Sequence, residues 1–477
     1  MKKITALILV VVTAAMVLCG CAKVTNVSKI NVYEYITLGD YENITAEDVR
    51  VEYDKERERL SETANQYKVG WGYTVQFNLK CEIKEESGNT ISYTKYAPYC
   101  FEGENNTKTI NIYEDTDDGY RALFDTAFIY DVKNASDSNV AATLRTITIG
   151  KAFDFEYDIP YKFENKDVAG KTLRFTVTPV KVLPAVYGDS AILESFNAFF
   201  NDYPASRETA GYGDSLVINV EGKVDGEIVE KYEQSKITLG YSSYPKEFDD
   251  ALVGIKIGRT ASFDITFPDD WTDSELAGLT VSYKVRLNEI YNYNKTVAEH
   301  TDYANLYELK EALRLEMFAT DKLMYVVYAR STLNAQPKTL YKEYYDYFKS
   351  TNEENIIERA MKENGYTREE AVSIAFGGEA GYEAYLKGLT DDAVLQTLVC
   401  QAVADKLGFT YTDAMYKKDL KEFTDFRNAV YGNNDTTRDI EKQSQRNLLR
   451  QMFLESDINA ELVKTITWLP VLTTETK

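Results

Sequence analysis

The sequence predicts an α+β protein, with a β-rich middle and a helical end. Three observations predict this. From about 68 to 292, apolar and polar residues alternate with period two, the pattern of strands with one buried face. From about 300 onward, apolar residues such as Leu309, Leu313, Met317 and Leu323 recur at helical spacing. Within the β-rich part a repeat is visible at an offset of 108 residues: Ile149-Gly150, Phe155, Pro160, Ala169-Gly170, Thr172 and Val177 match Ile257-Gly258, Phe263, Pro268, Ala277-Gly278, Thr280 and Val285. A repeat of this length implies two copies of one domain in tandem, not a solenoid.

The elements follow in order. Lys2 and Lys3 precede an apolar run at 4–18, shorter than the roughly 20 residues a membrane span needs, so 1–20 reads as an export signal. It ends in Leu18-Cys19-Gly20-Cys21, which matches the bacterial lipobox and makes Cys21 the expected lipidation site. The expected location is the extracytoplasmic face of the cell membrane. A tether and lead-in helix occupy 21–67, and the first β-rich copy 68–185. A linker is expected at 186–210 and the second copy at 211–292. In that copy Val224-Asp225-Gly226-Glu227 signals a hairpin, 247–253 a short amphipathic helix and 279–290 an alternating strand. Helices are expected over 306–334, 337–364, 382–407, 412–431 and 439–462, all within a helical region at 300–465. Gly377, Gly378 and Gly381 mark a break, and 466–477 is a tail.

Composition excludes several functions. The formal charge of −22, near −24 without Lys2 and Lys3, opposes nucleic-acid binding, which draws on Lys and Arg at phosphates. The one histidine, His300, lies in a polar stretch and is expected at the surface. No Cys, His and acid spacing suits a metal, and no glycine-rich phosphate loop opens a helix, so no cofactor is expected. Cys81 and Cys100 either form a disulfide or are two separate buried thiols.

One ordered set of residues carries a family resemblance. Residues 213–227 are followed by Phe248-Asp249-Asp250-Ala251-Leu252-Val253-Gly254, then Gly258, then 263–271 ending in Trp271, then Glu275-Leu276-Ala277-Gly278 and 285–290. This series resembles the FKBP-type peptidyl-prolyl isomerase domain of trigger factor. Residues 306–313 and 386–413 resemble the trigger factor helical arms, and 36–49 the segment leading into the isomerase domain. The resemblance implies two tandem FKBP-like antiparallel-sheet domains followed by an all-helical trigger-factor-like arm. It departs at the front, where a lipobox stands and no ribosome-docking motif is found. The implied partners are unfolded or proline-containing exported polypeptides, with the membrane held through the lipid.

Prolyl isomerisation needs no acid, base or metal, because the barrier of about 18–20 kcal/mol is lost amide resonance. An apolar pocket can grip proline and desolvate the twisted amide. The resemblance places Trp271 on the pocket floor, with Phe248 and Tyr283 as walls, and these three are the implied catalytic residues. Val220, Val229, Glu230, Tyr244 and Pro245 fall at implied substrate-binding positions. Four of these differ from the usual family residues: Val220 and Val229 stand for aromatics, Glu230 for an aspartate, and Pro245 for an isoleucine whose N–H meets substrate. Proline has no N–H, so weak isomerase activity is expected. Leu252 and Phe267 are expected in the core. In the first copy, Phe124, Phe163 and Phe175 take the corresponding pocket positions, implying a binding or spacer module. Three functions stay open: an isomerase for exported chains, a non-catalytic holdase, and an adhesin or solute-binding lipoprotein on a borrowed fold. For either of the first two, client binding is expected in the helical region, with Tyr325, Tyr328, Tyr341, Tyr344, Tyr345, Tyr347 and Phe348 as candidates. The competing reading is that these pack the arm's own core.

Overall fold

The computed structural model describes residues 25–466, except 63, 70–71, 88–89, 102–105, 113–145, 160–164, 241, 243, 269–270 and 272–274. The export signal, Cys21, Phe124 and Phe163 lie outside the described residues. The described chain divides into two compact units, one of 53–317 and one of 25–52 with 318–466. The fold is mixed α+β, with antiparallel sheets and a helical C-terminal region.

Among the described residues the first unit holds two larger sheets and a two-stranded one, in which Gln66–Lys68 pairs with Thr146–Thr148. In the first, strands β1 (Tyr73–Ser87), β2 (Thr90–Lys95), β3 (Lys108–Ile112), β4 (Phe153–Asp158) and β5 (Thr172–Leu183) run in the order β2-β1-β5-β4, with β3 paired to β1. Alternation decides the buried face: Val75, Phe77, Leu79 and Cys81 on β1 and Leu173, Phe175 and Val177 on β5 are all fully buried. In the second, β6 (Ser215–Val224), β7 (Glu227–Thr238), β8 (Thr260–Thr266) and β9 (Thr280–Tyr291) run β7-β6-β9-β8. The β6–β7 turn places Asp225 at φ 51° and Gly226 at φ 90°, the two positive values of a type I′ hairpin.

The sequence repeat reappears as hydrogen bonds at the same offset. Gly150 N donates to Pro179 O and Gly258 N to Leu287 O, both at 2.8 Å; Ile159 N donates to Lys171 O and Phe267 N to Leu279 O, both at 2.9 Å. Across the two ladders, Phe155 faces Phe175 as Phe263 faces Tyr283.

Two expectations in this unit need correction, and one open alternative, that of Cys81 and Cys100, is decided. The stretch 186–210, expected as a linker, contains helix Asp189–Asp202. Its Ile192 and Phe199 pack with Val297, Leu306, Leu309 and Leu313. Spacings of three and four between Ile192, Phe196, Phe199 and Phe200 carried that signal. A buried ionic knot ties the helix start down: Arg314, 0% exposed, pairs with Asp189 and with Glu311 (2.5 Å), and Lys310 Nζ lies 2.7 Å from Asp189. His300 is half-buried rather than at the surface, its ring stacked on Tyr203 at 4.3 Å. Cys81 and Cys100 are free thiols. Cys81 N–H donates to Cys100 Sγ at 3.3 Å, and burial pushes the Cys81 thiol up to about 12.

The second unit is helical around Glu379–Lys406, whose Tyr382, Leu386, Val394, Leu398 and Val403 are fully buried. Its start requires glycine: a Cβ on Gly381 would lie 1.8 Å from Phe376 O, and Gly377 and Gly378 both have positive φ. Two expected helices are broken. Residues 306–334 form Leu306–Lys322 and Met324–Arg330 and then the two-residue strand Thr332–Leu333, which pairs with Ile36–Thr37. Residues 439–462 are divided at Gln445, which has φ 55°. Tyr344 and Tyr328 pack this unit's interior at 0% and 6% exposure, as the competing reading had it. Their hydroxyls lie 2.7 Å from Thr397 Oγ1 and 2.9 Å from Glu455 Oε2. Tyr325 is exposed, as are Ile356, Met361, Tyr366, Ile374 and Tyr385. Among the described residues, no helix is long and apolar enough to cross a membrane.

Candidate functional site

Helix Lys246–Leu252 lies against the second sheet and contributes Phe248 and Leu252 to its core. Because they are four apart, these residues share one helix face. Phe248 is fully buried and is the centre of an aromatic cluster. Tyr244 stacks on it with centroids 3.9 Å apart and planes at 10°. Phe263 from β8 and Tyr283 from β9 meet it edge-on, at 5.4 and 5.1 Å. Such edge and stacked pairs are the favoured aromatic geometries.

Gly222 on β6 faces Tyr283 across the ladder, and the ring lies over it: an added Cβ would fall 2.9 Å from Tyr283 Cε1. A small residue at 222 therefore lets the tyrosine ring settle on the sheet. Its hydroxyl donates to Glu230 Oε2 at 2.5 Å. Burial first, and this bond second, hold the Tyr283 phenol far above its ordinary range. It therefore stays a neutral donor.

The structure brings together Phe248, Tyr283, Tyr244 and Glu230 of the eight expected pocket residues. Pro245 is adjacent, capping the helix at φ −55°. Trp271 is half-buried at the edge, against Phe267 at 5.2 Å. Phe248 is fully buried, because it is carried on the helix packed into the sheet, whereas Trp271 is half-buried. Val220 is buried in the sheet core, cross-strand from Tyr232 and Val285. Val229 falls at a bulge in β7, between the pairs Ile228–Lys223 and Glu230–Gly222, and is 43% exposed. Leu252 and Phe267 are core residues.

Two features escaped the sequence. Phe263 belongs to the aromatic cluster around Phe248; its signals were alternation with Ile265 on β8 and its match to Phe155 in the repeat. The other is a polar latch. Asp249, 1% exposed, accepts from Ser242 Oγ (2.5 Å) and Gly240 N (3.1 Å), and Ser242 Oγ accepts from Tyr244 N (3.3 Å).

A curved antiparallel sheet with a short helix closing an aromatic box is the arrangement of an FKBP-type domain. Residues 206–288 match the family described as FKBP-type peptidyl-prolyl cis-trans isomerase. Beyond that segment the chain is similar to trigger factors. It is 25% identical to that of Streptococcus mutans over 337 residues, 66% of this chain and 74% of that one. It is 32% identical to that of Syntrophotalea carbinolica over 148 residues, 30% of this chain and 32% of that one. It is 27% identical to that of Carboxydothermus hydrogenoformans over 228 residues, 44% of this chain and 52% of that one. The chain thus spans less than two thirds of the last two relatives. A solved structure concerning promiscuous substrate recognition by the trigger factor chaperone aligns at 16% identity and a TM-score of 0.22, over 65% of this chain and 78% of that one. The protein is trigger factor-like and carries an FKBP-type domain.

Proposed function

We propose that this chain is a lipid-anchored, extracytoplasmic foldase that holds unfolded exported polypeptides and isomerises their prolyl bonds slowly. The observation that carries the reading is the aromatic box of Phe248, Phe263, Tyr283 and Trp271, within the segment that matches the FKBP-type family. An apolar box of this kind accepts a prolyl ring and removes water from its amide, which favours the twisted, less polar state. Slow turnover follows from Pro245, which has no N–H to offer a substrate carbonyl, and from Val229, which is exposed at a bulge. The first sheet, which shares the strand order and repeat bonds of the second, acts as a divergent FKBP-like copy and a spacer.

Anchoring rests on Cys21. A single acyl chain binds membrane only marginally, whereas diacylglycerol supplies the two chains stable anchoring needs. Cys21→Ala should move the protein from the membrane to the soluble fraction; tight membrane association of that variant removes the anchor from the reading. Proline-limited refolding of a model substrate tests catalysis. Wild type should accelerate it weakly and Trp271→Ala less still; equal acceleration by both excludes Trp271 from the site.

The holdase reading has its own support in the exposed Ile356, Met361, Tyr366, Ile374 and Tyr385 of the helical unit. Where such side chains form one contiguous patch, they mark a binding surface. Deleting 300–465 should abolish suppression of aggregation; full retention would move client binding to the sheets.

A further inference from the structure

The face of Phe248 on which an apolar ring would stack is occupied. Tyr244 lies parallel to it at 3.9 Å between centroids, which is van der Waals contact. A ring inserted between the two would need about twice that separation, since each face requires its own contact of about 3.5–4 Å. Phe263 and Tyr283 approach Phe248 at 81° and 90°, so neither stacks parallel to it as Tyr244 does. Tyr244 also meets Tyr283 edge-on at 5.8 Å, so it is held against two rings of the cluster.

The placement is built. Asp249 follows Phe248 on one helix, and its carboxylate fixes Gly240 N and Ser242 Oγ, while Ser242 Oγ receives the Tyr244 amide. Phe248 and Tyr244 are therefore registered by one short helix. Tyr244 itself is only half-buried and belongs to the connection before the helix, not to the sheet. It can leave without unpairing a strand.

We propose that Tyr244 is a resident plug of the aromatic pocket, positioned by Asp249 through Ser242, and that a prolyl ring binds by displacing it. This rests on the proposed function insofar as that reading makes the pocket a prolyl site. The plug lowers the fraction of molecules able to bind and reduces apparent affinity by that fraction. Asp249 is a positioning residue, since it reaches the pocket only through Ser242 and Gly240.

The test uses the full chain and an Ala-Leu-Pro-Phe amide peptide. Affinity is measured by titration, and cis–trans exchange by nuclear magnetic resonance. Tyr244→Ala should bind at least tenfold more tightly than wild type and exchange the prolyl bond faster. Tyr244→Phe, which keeps the ring, should behave as wild type. Asp249→Asn should give an intermediate gain with Tyr244 still present, and it decides the matter if Tyr244→Ala fails to fold by hydrogen exchange. Equal binding by all variants overturns the plug and leaves the prolyl site standing. Binding by none overturns the prolyl site, and the plug with it.

Discussion

Gly222→Ala probes how the sheet makes room for the pocket. The new Cβ would stand 2.9 Å from Tyr283 Cε1 and 3.0 Å from Val281 Cγ1. Neither neighbour has free space, since Tyr283 is 2% and Val281 0% exposed. Forcing a methyl into such packing costs about 1–3 kcal/mol. Alanine offsets about 0.5–1 kcal/mol of this, because glycine loses more backbone freedom on folding. The net expectation is a loss of about 1–2 kcal/mol, a factor of about 5–30 in the local folding equilibrium. The assay is hydrogen exchange at the β6 and β9 amides, which should speed up by that factor. Adding Tyr283→Leu removes the ring that the Cβ meets and should recover most of the loss, a coupling that a double-mutant cycle isolates. Exchange unchanged or slower in Gly222→Ala, or zero coupling in the cycle, refutes the account of the ring lying over the glycine.

Three further outcomes are expected. Burial raises the phenols of Tyr53 and Tyr382 to about 12, from an ordinary 10.0. A raised folded-state value contributes stability fully present below pH 10.0 and lost as pH climbs toward about 12, so urea midpoints should hold from pH 8 to 9.5 and fall beyond; a flat profile to pH 11.5 contradicts this. Arg314→Met leaves Asp189 and Glu311 without their shared guanidinium. Breaking a buried pair costs about 3–5 kcal/mol, and the lower end applies because Lys310 still faces Asp189, with exchange in helix Asp189–Asp202 as the readout. Gly381→Ala sets a methyl against Phe376 O and should cost at least about 1–3 kcal/mol in the helical unit, seen as a lower thermal midpoint. A midpoint within a degree of wild type shows that the turn relaxes.

Sequence by itself determined what rests on period and on local chemistry. Alternation decided which residues of 213–222 and 279–290 face the core, because successive side chains on a strand take opposite faces. Asp225-Gly226 determined the hairpin, since few other pairs tolerate two positive φ values. The 108-residue offset carried over into matching hydrogen bonds, as identical glycine positions impose identical turns. Resemblance named Phe248, Tyr283, Tyr244 and Glu230, and the fold brought them together.

Only the tertiary structure decided their depth and their partners. That Phe248 is fully buried and Trp271 only half-buried depends on how a seven-residue helix packs on a sheet, which no local pattern encodes. The helix breaks at Leu323 and Gln445 likewise carry no glycine or proline signal. Asn459 holds the first, accepting the Met324 amide at 2.9 Å from a residue 135 positions away. The plug is the clearest case. Tyr244 and Phe248 are spaced as an ordinary helical pair, yet Tyr244 lies before the helix. Its ring reaches Phe248 because Asp249 fixes Ser242, and Ser242 fixes the Tyr244 amide.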